Sequence, residues 1–433
     1  IASGRGRPAG RSGRCQGTCS LKGKSVQHRS GRRLSDQHLF DLVQEHTFRW
    51  FWDRADPASG MAPDRTTSPE GLVTVGGTGF AVMALIVGAE RGFVSREAAL
   101  ERSQEIVSAL SRATRHHGVF PHWMDGRNGA TIPFSPQDDG GDLVETAFLI
   151  QGLIAVREYF HRDAAAEADL RRQIDEIWHG VEWDWHKAAD EDVLLWHWSP
   201  NCGFAMNHAI RGWNECLITY LLAAASPTHP IDPALYHGGW TKSPTFRNGR
   251  SAYGIELPLG PPLGGPLFFA HYSFLGLDPR GLSDRYADYF EQNRRHAALH
   301  LAYGRANPNH CAGYGGACWG LTASDNDTGY SAHSPTNDRC VIAPTAALAS
   351  FPYAPQAAMR AMRHYYFELG DRIWTDWGFT DAFCEERGWY SVDHLAIDQG
   401  PIIIMMENHR SGLLWRLFMQ APEVRRGLDR LGF

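Results

Sequence analysis

The 433-residue sequence lacks both a basic stripe and a long apolar run. Its 42 Lys and Arg residues stand against 48 Asp and Glu residues, which gives a formal net charge of -6. No cluster of positive charge suits a phosphate backbone, so nucleic acid is not an expected partner. The longest apolar run, near residues 80–88, falls short of the roughly 18 residues that a membrane span needs. We expect neither nucleic-acid binding nor a membrane span.

The eight cysteines form no pair of CxxC motifs and lie near no histidines at zinc-finger spacing. Cys311 and Cys318 close a short loop and could pair in an oxidising compartment, although isolated cysteines are more often small buried hydrophobes. The 21 histidines are scattered along the chain, and such residues are more often solvated or satisfied in the core than bound to metal. We therefore expect no metal and no cofactor.

Two familiar signatures of nucleophilic catalysis are also missing. No Gly-x-Ser-x-Gly elbow occurs, and no cysteine has a catalytic context. Residues 1–34 are rich in Arg, Gly and Ser without an apolar segment, which predicts a disordered basic tail rather than an intact secretory signal. We interpret residues 35–433 as a single domain, expect a monomer, and expect a periplasmic or secreted location, with the cytoplasm as the alternative.

Apolar residues spaced three and four apart recur along the chain and predict an all-α protein. Strand signals are scarce, and no alternation of strands and helices suggests a doubly wound sheet. Loops too long for simple connections separate the helices, and such loops are usually functional. The predicted helices cover 36–54, 78–91, 95–116, 142–160, 164–187, 214–225, 282–298, 341–350, 355–369, 394–408 and 411–419.

Candidate catalytic carboxylates stand at predicted helix starts. Asp142 and Glu145 are three residues apart, which is the spacing of a capping box, so they either cap the helix or face a cleft. Glu215 follows Asn214, a good N-cap residue, and neighbours Trp213; a carboxyl beside an indole in an apolar cleft gains a raised pKa, as a general acid requires.

The third candidate is Asp398, which we place in the turn before a helical run that starts at Pro401. Asp381 and Asp393 compete with it, because aspartate is common in turns. The recurrence of acidic residues at helix starts, each near Trp, Tyr or Phe, favours glycoside hydrolysis. That reaction needs two carboxyls at the glycosidic bond and aromatic surfaces for the sugars.

Eight short phrases stand in a fixed order along the chain: Trp52-Asp-Arg-Ala-Asp56, Gly140-Gly-Asp-Leu-Val-Glu145, Trp213-Asn-Glu215, Phe268-Phe-Ala-His-Tyr-Ser-Phe274, Trp319-Gly-Leu-Thr-Ala-Ser-Asp325, Ile342-Ala-Pro-Thr-Ala-Ala-Leu-Ala-Ser350, Leu395-Ala-Ile-Asp-Gln-Gly-Pro401 and Glu407-Asn-His-Arg-Ser-Gly-Leu-Leu-Trp415. With these phrases the chain, from about Phe40 to Phe433, resembles the bacterial glucoamylase-like family that contains β-1,2-glucanases. That resemblance implies an (α/α)6 barrel with long loops forming a cleft.

The resemblance also implies roles. Glu215 matches the general acid, Asp142 and Glu145 match cleft carboxylates needed for activity, and Asp398 matches an acidic position near the reducing-side subsites. Any of the last three can serve as base. Substrate contacts are expected from Trp213, Asn214, His208, Tyr272, His271, Trp319, Asp325, Gln399, Trp389 and Tyr390.

We therefore predict a glycoside hydrolase that cleaves β-1,2-glucan with inversion. A transglycosylase acting on the same polymer and a non-catalytic glucan-binding protein are the alternatives. A uronate lyase would need a basic cleft, and no basic cluster accompanies these loops. The sequence departs from the commoner family pattern in its Cys311–Cys318 loop and in the insertion-like run from Ser324 to Asp338. Those loops would shape the subsites, so endo and exo cleavage both stay open.

Overall fold

Helices make up most of the regular structure in residues 34–433, the part of the chain that this computed structural model describes. Residues Ser35–Phe433 cluster into one compact unit. The described helices are α1 (Asp36–Asp53), α2 (Val75–Arg91), α3 (Arg96–Arg112), α4 (Leu143–Tyr159), α5 (Ala165–His179), α6 (Leu217–Ala225), α7 (Tyr289–Ala306), α8 (Pro344–Leu348), α9 (Pro355–Phe367), α10 (Gly370–Ile373), α11 (Ala396–Ser411), α12 (Leu413–Gln420) and α13 (Pro422–Leu431).

Short antiparallel strands order the long loops. None exceeds six residues, and they form five two-stranded sheets and one three-stranded sheet. They are β1 (Leu72–Thr74), β2 (Trp123–Asp125), β3 (Thr131–Ile132), β4 (Gly141–Asp142), β5 (His197–Trp198), β6 (Arg247–Ala252), β7 (Ile255–Leu259), β8 (Ala323–Asn326), β9 (Gly329–Ala332), β10 (Trp374–Thr375), β11 (Gly378–Phe379), β12 (Phe383–Cys384) and β13 (Trp389–Tyr390).

The helices form two layers. In the inner layer α4 packs against α2 and α6, α2 against α11, and α11 against α8. The short turn at Tyr272–Phe274 completes this layer: it packs on α6, and the neighbouring His271 bonds Ser350, just after α8. The outer helices α1, α3, α5, α7, α9 and α13 pack on the inner elements. This arrangement confirms the predicted all-α (α/α)6 fold.

Burial explains which helices lie inside. Every residue of α2 from Val75 to Gly88 is buried, whereas α3 buries only five positions, on one face. A helix that is apolar all round needs protein on every side, and an amphipathic helix needs it on one. The inner layer therefore consists of the uniformly apolar segments, and the outer layer of the striped ones.

Several predicted boundaries were wrong. Helix α7 spans Tyr289–Ala306 rather than 282–298, because the side chain of Asp288 caps its first turn by accepting from Glu291 N. Helix α6 starts at Leu217 rather than 214. Helix α11 starts at Ala396 and continues through Pro401, which lies inside it. Helix α13 was not predicted.

The suggested Cys311–Cys318 pairing was also wrong. Cys311 forms a disulfide with Cys340, with their Cα atoms 5.3 Å apart, while Cys318 is a buried free thiol. The prediction of a disordered tail falls on residues 1–34, which lie outside the described residues apart from Leu34. Among the described residues, the helices are too short or too polar to cross a membrane.

Candidate active site

The start of α4 holds the first group of carboxylates. Asp142 caps α4, because its Oδ1 accepts from Val144 N at 3.0 Å and Glu145 N at 2.9 Å. Glu145 does not return a bond to the cap, as a capping box requires. Its Oε2 instead accepts from Gly76 N, at the start of α2, at 2.8 Å. The predicted cap is therefore confirmed for Asp142 and wrong for Glu145, which ties two helix N-termini together.

Two histidines and a third carboxylate surround Asp142. His122 Nδ1 lies 3.1 Å from Asp142 Oδ2, and the pairing of β4 with β5 sets His197 opposite Asp142. His197 Nε2 lies 3.6 Å from Asp142 Oδ2 and 3.3 Å from Asp138 Oδ2. We call Asp138, Asp142, Glu145, His122 and His197 the α4 cluster.

Charge coupling sets the protonation of the α4 cluster. Burial raises the pKa of Glu145 to about 7, helped by the charge of Asp142. Burial opposes ionisation of Asp142 too, but the hydrogen bond from His122 and the charge of His197 outweigh it and lower the pKa of Asp142. The pKa of His122 rises to about 9 because Glu145 and Asp142 outweigh its own burial. At neutral pH the cluster therefore contains the ion pair of Asp142 and His122.

Glu215 lies just before α6 rather than in its first turn. Asn214 Oδ1 accepts from Cys216 N at 3.0 Å and so closes the turn that carries Glu215. The side chain of Glu215 keeps partial solvent access. Burial raises its pKa to about 7, and the charges of Glu145 and Asp142 add to this. A carboxyl that holds a proton near neutral pH suits a general acid.

A second group of carboxylates meets at the start of α11. Asp398 lies in the first turn of α11 and is 1% exposed, as is Asp381. Asp381 Oδ2 accepts from Asp325 N at 2.7 Å, and both oxygens of Asp325 lie 3.0 Å from one guanidinium nitrogen of Arg65. We call Asp325, Asp381 and Asp398 the α11 cluster.

Asp398 has a distinctive environment within the α11 cluster. No N–H or O–H group of the described residues reaches either of its oxygens. Its neighbour is the carboxyl of Asp381, with which it can bond only by sharing a proton. Burial and the charge of Asp381 raise the pKa of Asp398 well above its usual range. Burial and the charge of Asp325 raise the pKa of Asp381 to about 7.

Tyr272 connects these carboxylates. It is buried, and its hydroxyl has no hydrogen-bond partner among the described residues. Burial raises the pKa of Tyr272, and the charges of Asp398, Glu215 and Asp381 add to the shift. Tyr272 therefore lies close enough to Glu215 and to the α11 cluster to interact electrostatically with both.

Among the other predicted substrate contacts, Trp213, Trp319, His271 and Gln399 are buried, whereas Trp389, Tyr390 and His208 are partly or fully exposed. Trp213 is 2% exposed and packs among aromatic rings, Trp319 is fully buried, and His271 bonds Ser350 Oγ at 3.1 Å. Gln399 donates to Phe379 O, and Tyr390 accepts from Arg372. Trp389 is partly exposed and packs against a small buried cluster, while His208 is exposed and stacks on Trp196.

The sequence analysis missed several residues of the site. No sequence motif marks His122, Asp138 or Arg65, because the residue that each of them contacts is distant in the chain. Two exposed aromatic side chains were also missed: Phe134 lies 4.2 Å from the ring of His122, and Tyr330 is 52% exposed. The charges of Asp398 and Asp381 contribute to a raised pKa of Tyr330. An exposed aromatic ring thus stands beside each cluster, where a sugar face could stack.

Three groups of side chains in the described residues bring potential metal ligands within 4.8 Å of one another. One is committed to the disulfide, and one belongs to the α4 cluster, where its members already bond each other. The third lies outside both clusters. The groups are Cys311, Asp338 and Cys340; His122, Asp138 and Asp142; and Cys318, His364 and Glu385.

The fold and the site together define a class of protein: an (α/α)6 chain with paired carboxylates, as in glycoside hydrolases. The Glycoamylase family model, described as "Putative glucoamylase", matches residues 207–422. An endo-β-1,2-glucanase from Chitinophaga pinensis, solved with sophorotriose and glucose, is 51% identical; the match covers 92% of this chain and 99% of that one, with a TM-score of 0.90.

Two further relatives agree. A Bacteroides uniformis structure described in the same words as the family model is 55% identical over 93% of this chain and 98% of its own, with a TM-score of 0.91. The exo β-1,2-glucooligosaccharide sophorohydrolase (non-reducing end) of Parabacteroides distasonis is 42% identical over 92% of this chain, which spans 58% of that protein's length. The chain belongs to the bacterial glucoamylase-like family that contains the β-1,2-glucanases.

Proposed function

We propose that this protein is a glycoside hydrolase that cleaves β-1,2-glucan by general acid/base catalysis. The observation that carries the proposal is Glu215, a partly exposed carboxyl whose pKa is raised to about 7 and which interacts electrostatically with carboxylates of α4. The names of the C. pinensis and P. distasonis relatives specify β-1,2-linked substrates, and they supply the linkage. Incubation with linear β-1,2-glucan tests the proposal: the release of reducing ends supports it, and an inert polymer contradicts it.

Glu215 is proposed as the general acid, because it holds a proton near neutral pH. Asp142, Glu145 and Asp398 remain the candidates for the base. Asp142 already uses its oxygens for the α4 cap and for His122, whereas both oxygens of Asp398 have no protein donor. The pKa of Asp398 is raised well above its usual range, so Asp398 can receive a proton from water or a sugar hydroxyl only in its ionised form, with the shared proton held by Asp381 or lost. In that form its free oxygens favour Asp398 as the base.

We propose inversion at the anomeric carbon. Inverting sites hold their two carboxyls about 6.5–9.5 Å apart, against about 5–5.5 Å in retaining sites. Glu215 lies just before α6 and Asp398 lies in the first turn of α11, so the two carboxyls come from different inner elements. Besides burial, the charges of both carboxyls raise the pKa of Tyr272. An NMR time course of fresh products decides the stereochemistry. The α-anomer appearing first supports inversion, and the β-anomer appearing first supports retention and the transglycosylase alternative.

Product lengths separate the remaining alternatives. A ladder of oligosaccharides supports endo cleavage, disaccharide alone supports exo cleavage, and products longer than the substrate support transglycosylation. A protein that binds the glucan without releasing any product would be the non-catalytic alternative. The proton-holding Glu215 argues against that alternative, since a binding surface has no need of a raised carboxyl pKa.

A periplasmic or secreted location is part of the proposal. The Cys311–Cys340 disulfide supports it, because disulfides persist in oxidising compartments. Thiol labelling of the protein isolated from cell fractions tests this: both cysteines should resist labelling until a reductant is added. The proposed monomeric state is tested separately, by light scattering of the purified chain.

A further inference from the structure

Three side chains that can bind metal meet outside both carboxylate clusters. Cys318 lies in the loop after α7, His364 lies on α9, and Glu385 lies in the turn between β12 and β13. One potential ligand atom from each lies within 4.8 Å of the others. The three residues span 67 positions of the sequence at no recognised spacing, which is why the scattered histidines and cysteines suggested no metal. We call them the α9 triad.

Two atoms of the α9 triad are left without hydrogen bonds. His364 Nε2 and Glu385 Oε1 are buried and have no partner among the described residues. The Glu385 carboxylate also forms no ion pair with any described residue. A buried polar atom without a partner costs free energy, and this holds for both His364 Nε2 and Glu385 Oε1. Some ligand that accepts electron pairs would remove both costs.

The backbone makes room for this carboxylate. Gly313 has a positive φ of +82°, and a Cβ placed there would lie 2.0 Å from Glu385 Oε1. Only glycine allows the loop to approach the carboxylate so closely. Cys318 is 2% exposed. Without a cation, the triad therefore holds two buried polar atoms, His364 Nε2 and Glu385 Oε1, that have no partner among the described residues.

We propose that Cys318, His364 and Glu385 bind one Zn²⁺ ion, with water as the fourth ligand. Thiolate sulfur, imidazole nitrogen and carboxylate oxygen are the ligands that zinc prefers in tetrahedral sites. Zinc bonds of about 2.0–2.3 Å place such ligands roughly 3.3–3.7 Å apart, so the side chains would need to close by only about 1 Å. The charge of Zn²⁺ balances one thiolate and one carboxylate. Calcium and magnesium are disfavoured, because they select oxygen ligands.

The ion would join three segments that support the α11 cluster. Asp325 lies in β8, seven residues after Cys318, and Asp381 precedes Glu385 by four residues. A zinc ion at the α9 triad would therefore fix the segment before β8 and the β12–β13 hairpin relative to α9. This inference is independent of the proposed function, since it concerns metal binding and stability rather than the glucan.

The test uses the full chain, stripped of metal by a chelator and kept free of reductant. Titration with Co²⁺ should give one equivalent bound, with the near-ultraviolet charge-transfer band of a cobalt thiolate, and Zn²⁺ should displace it and raise Tm. Cys318→Ser should abolish the band and weaken binding at least about tenfold. Cys202→Ser, which removes an exposed free thiol, should leave both unchanged.

Two further variants keep the test decisive if Cys318→Ser fails to fold. His364→Gln and Glu385→Gln preserve shape and should each weaken binding at least about tenfold while the cobalt spectrum changes. Equal binding in the wild type and all three triad variants would mean adventitious metal only and would overturn the proposal. A wild-type chain that binds no metal and gains no Tm with Zn²⁺ would overturn it as well.

Discussion

The two carboxylate clusters solve the problem of buried negative charge in different ways. In the α4 cluster, Asp142 is held by two backbone N–H groups and by His122, so its charge is compensated. In the α11 cluster, Arg65 pairs with Asp325, whereas neither oxygen of Asp398 has a donor among the described residues. Protein groups therefore stabilise the negative charge of Asp142 in the α4 cluster. The oxygens of Asp398 in the α11 cluster have no such donors and can accept hydrogen bonds from water or substrate.

This difference indicates which carboxylates stabilise the fold and which are free to take part in chemistry. A carboxylate whose lone pairs are occupied by a helix start is fixed in place and stays ionised. A carboxylate without donors is poorly stabilised until water or a sugar hydroxyl supplies them. The α4 cluster is thus expected to contribute to both stability and catalysis, while the α11 cluster is expected to contribute to catalysis with little or no gain in stability.

The largest effect is expected at Glu215, whose raised pKa is due to burial and to the charges of Glu145 and Asp142 in the α4 cluster. Glu215→Gln should lower kcat by about 10²–10⁴-fold, because the proton donor is lost and a group of similar shape remains. Tm should stay the same or rise. In the wild type, kcat should fall as pH rises through about 7, since Glu215 must be protonated to act. Near-normal turnover of the variant would exclude Glu215 as the acid.

Asp398→Asn should come next and would separate the clusters most clearly. We expect turnover to fall about 10²-fold with an unchanged or higher Tm, because the substitution removes one of two facing buried carboxyls. Asp284→Asn is the matched control: Asp284 lies outside both clusters and accepts from the hydroxyls of Tyr236 and Tyr289, so stability should fall and chemistry should be spared. A large loss of Tm in Asp398→Asn would contradict the comparison.

Asp142→Ala and Glu145→Ala should behave differently from Asp398→Asn. Loss of a helix cap costs about 0.5–2 kcal/mol of stability, so Asp142→Ala should lower Tm as well as turnover. Glu145→Ala should lower turnover and cost the bond to Gly76 N. Thermal melting and initial rates of both variants decide this, because a stability loss with normal turnover would leave these residues a structural role alone.

The smallest effect is expected at His122, whose pKa is raised in the folded state from 6.5 to about 9. Its contribution to stability is therefore complete below pH 6.5 and is lost as pH rises through about 9. The Tm of the wild type should exceed that of His122→Gln by more at about pH 6 than at about pH 9.5. His161→Gln, on the surface, should show no such trend. A Tm gap independent of pH would contradict a charged His122.

Local signals in the sequence predicted part of this site and missed the rest for a physical reason. The cap by Asp142 depends on N–H groups two and three residues away, so the sequence alone predicts it. The bond from Gly76 to Glu145 joins positions 69 residues apart, and the Arg65 contact with Asp325 spans 260. Such contacts are created by packing, which no local pattern records.

The same reasoning applies to the fold. Apolar periodicity located the inner helices, because nearly every consecutive residue of such a helix is apolar. It also placed the ends of α1 and α4 within one residue of those observed. It misplaced α7, whose start depends on the Asp288 cap. Periodicity also could not identify Cys340 as the partner of Cys311. The two cysteines flank the β8–β9 hairpin in the chain, and only the folded structure brings them together.

Gly76 decides the position of a reactive group although it has no side chain. A Cβ at this position would lie 2.3 Å from Glu145 Oε2, and the carboxylate, at the end of a flexible chain, would move before the helices did. A larger residue at position 76 would therefore lower catalytic activity more than it lowers the stability of the fold. Natural variation at positions 76 and 145 should therefore be correlated, with any larger residue at 76 accompanied by the loss or replacement of the glutamate.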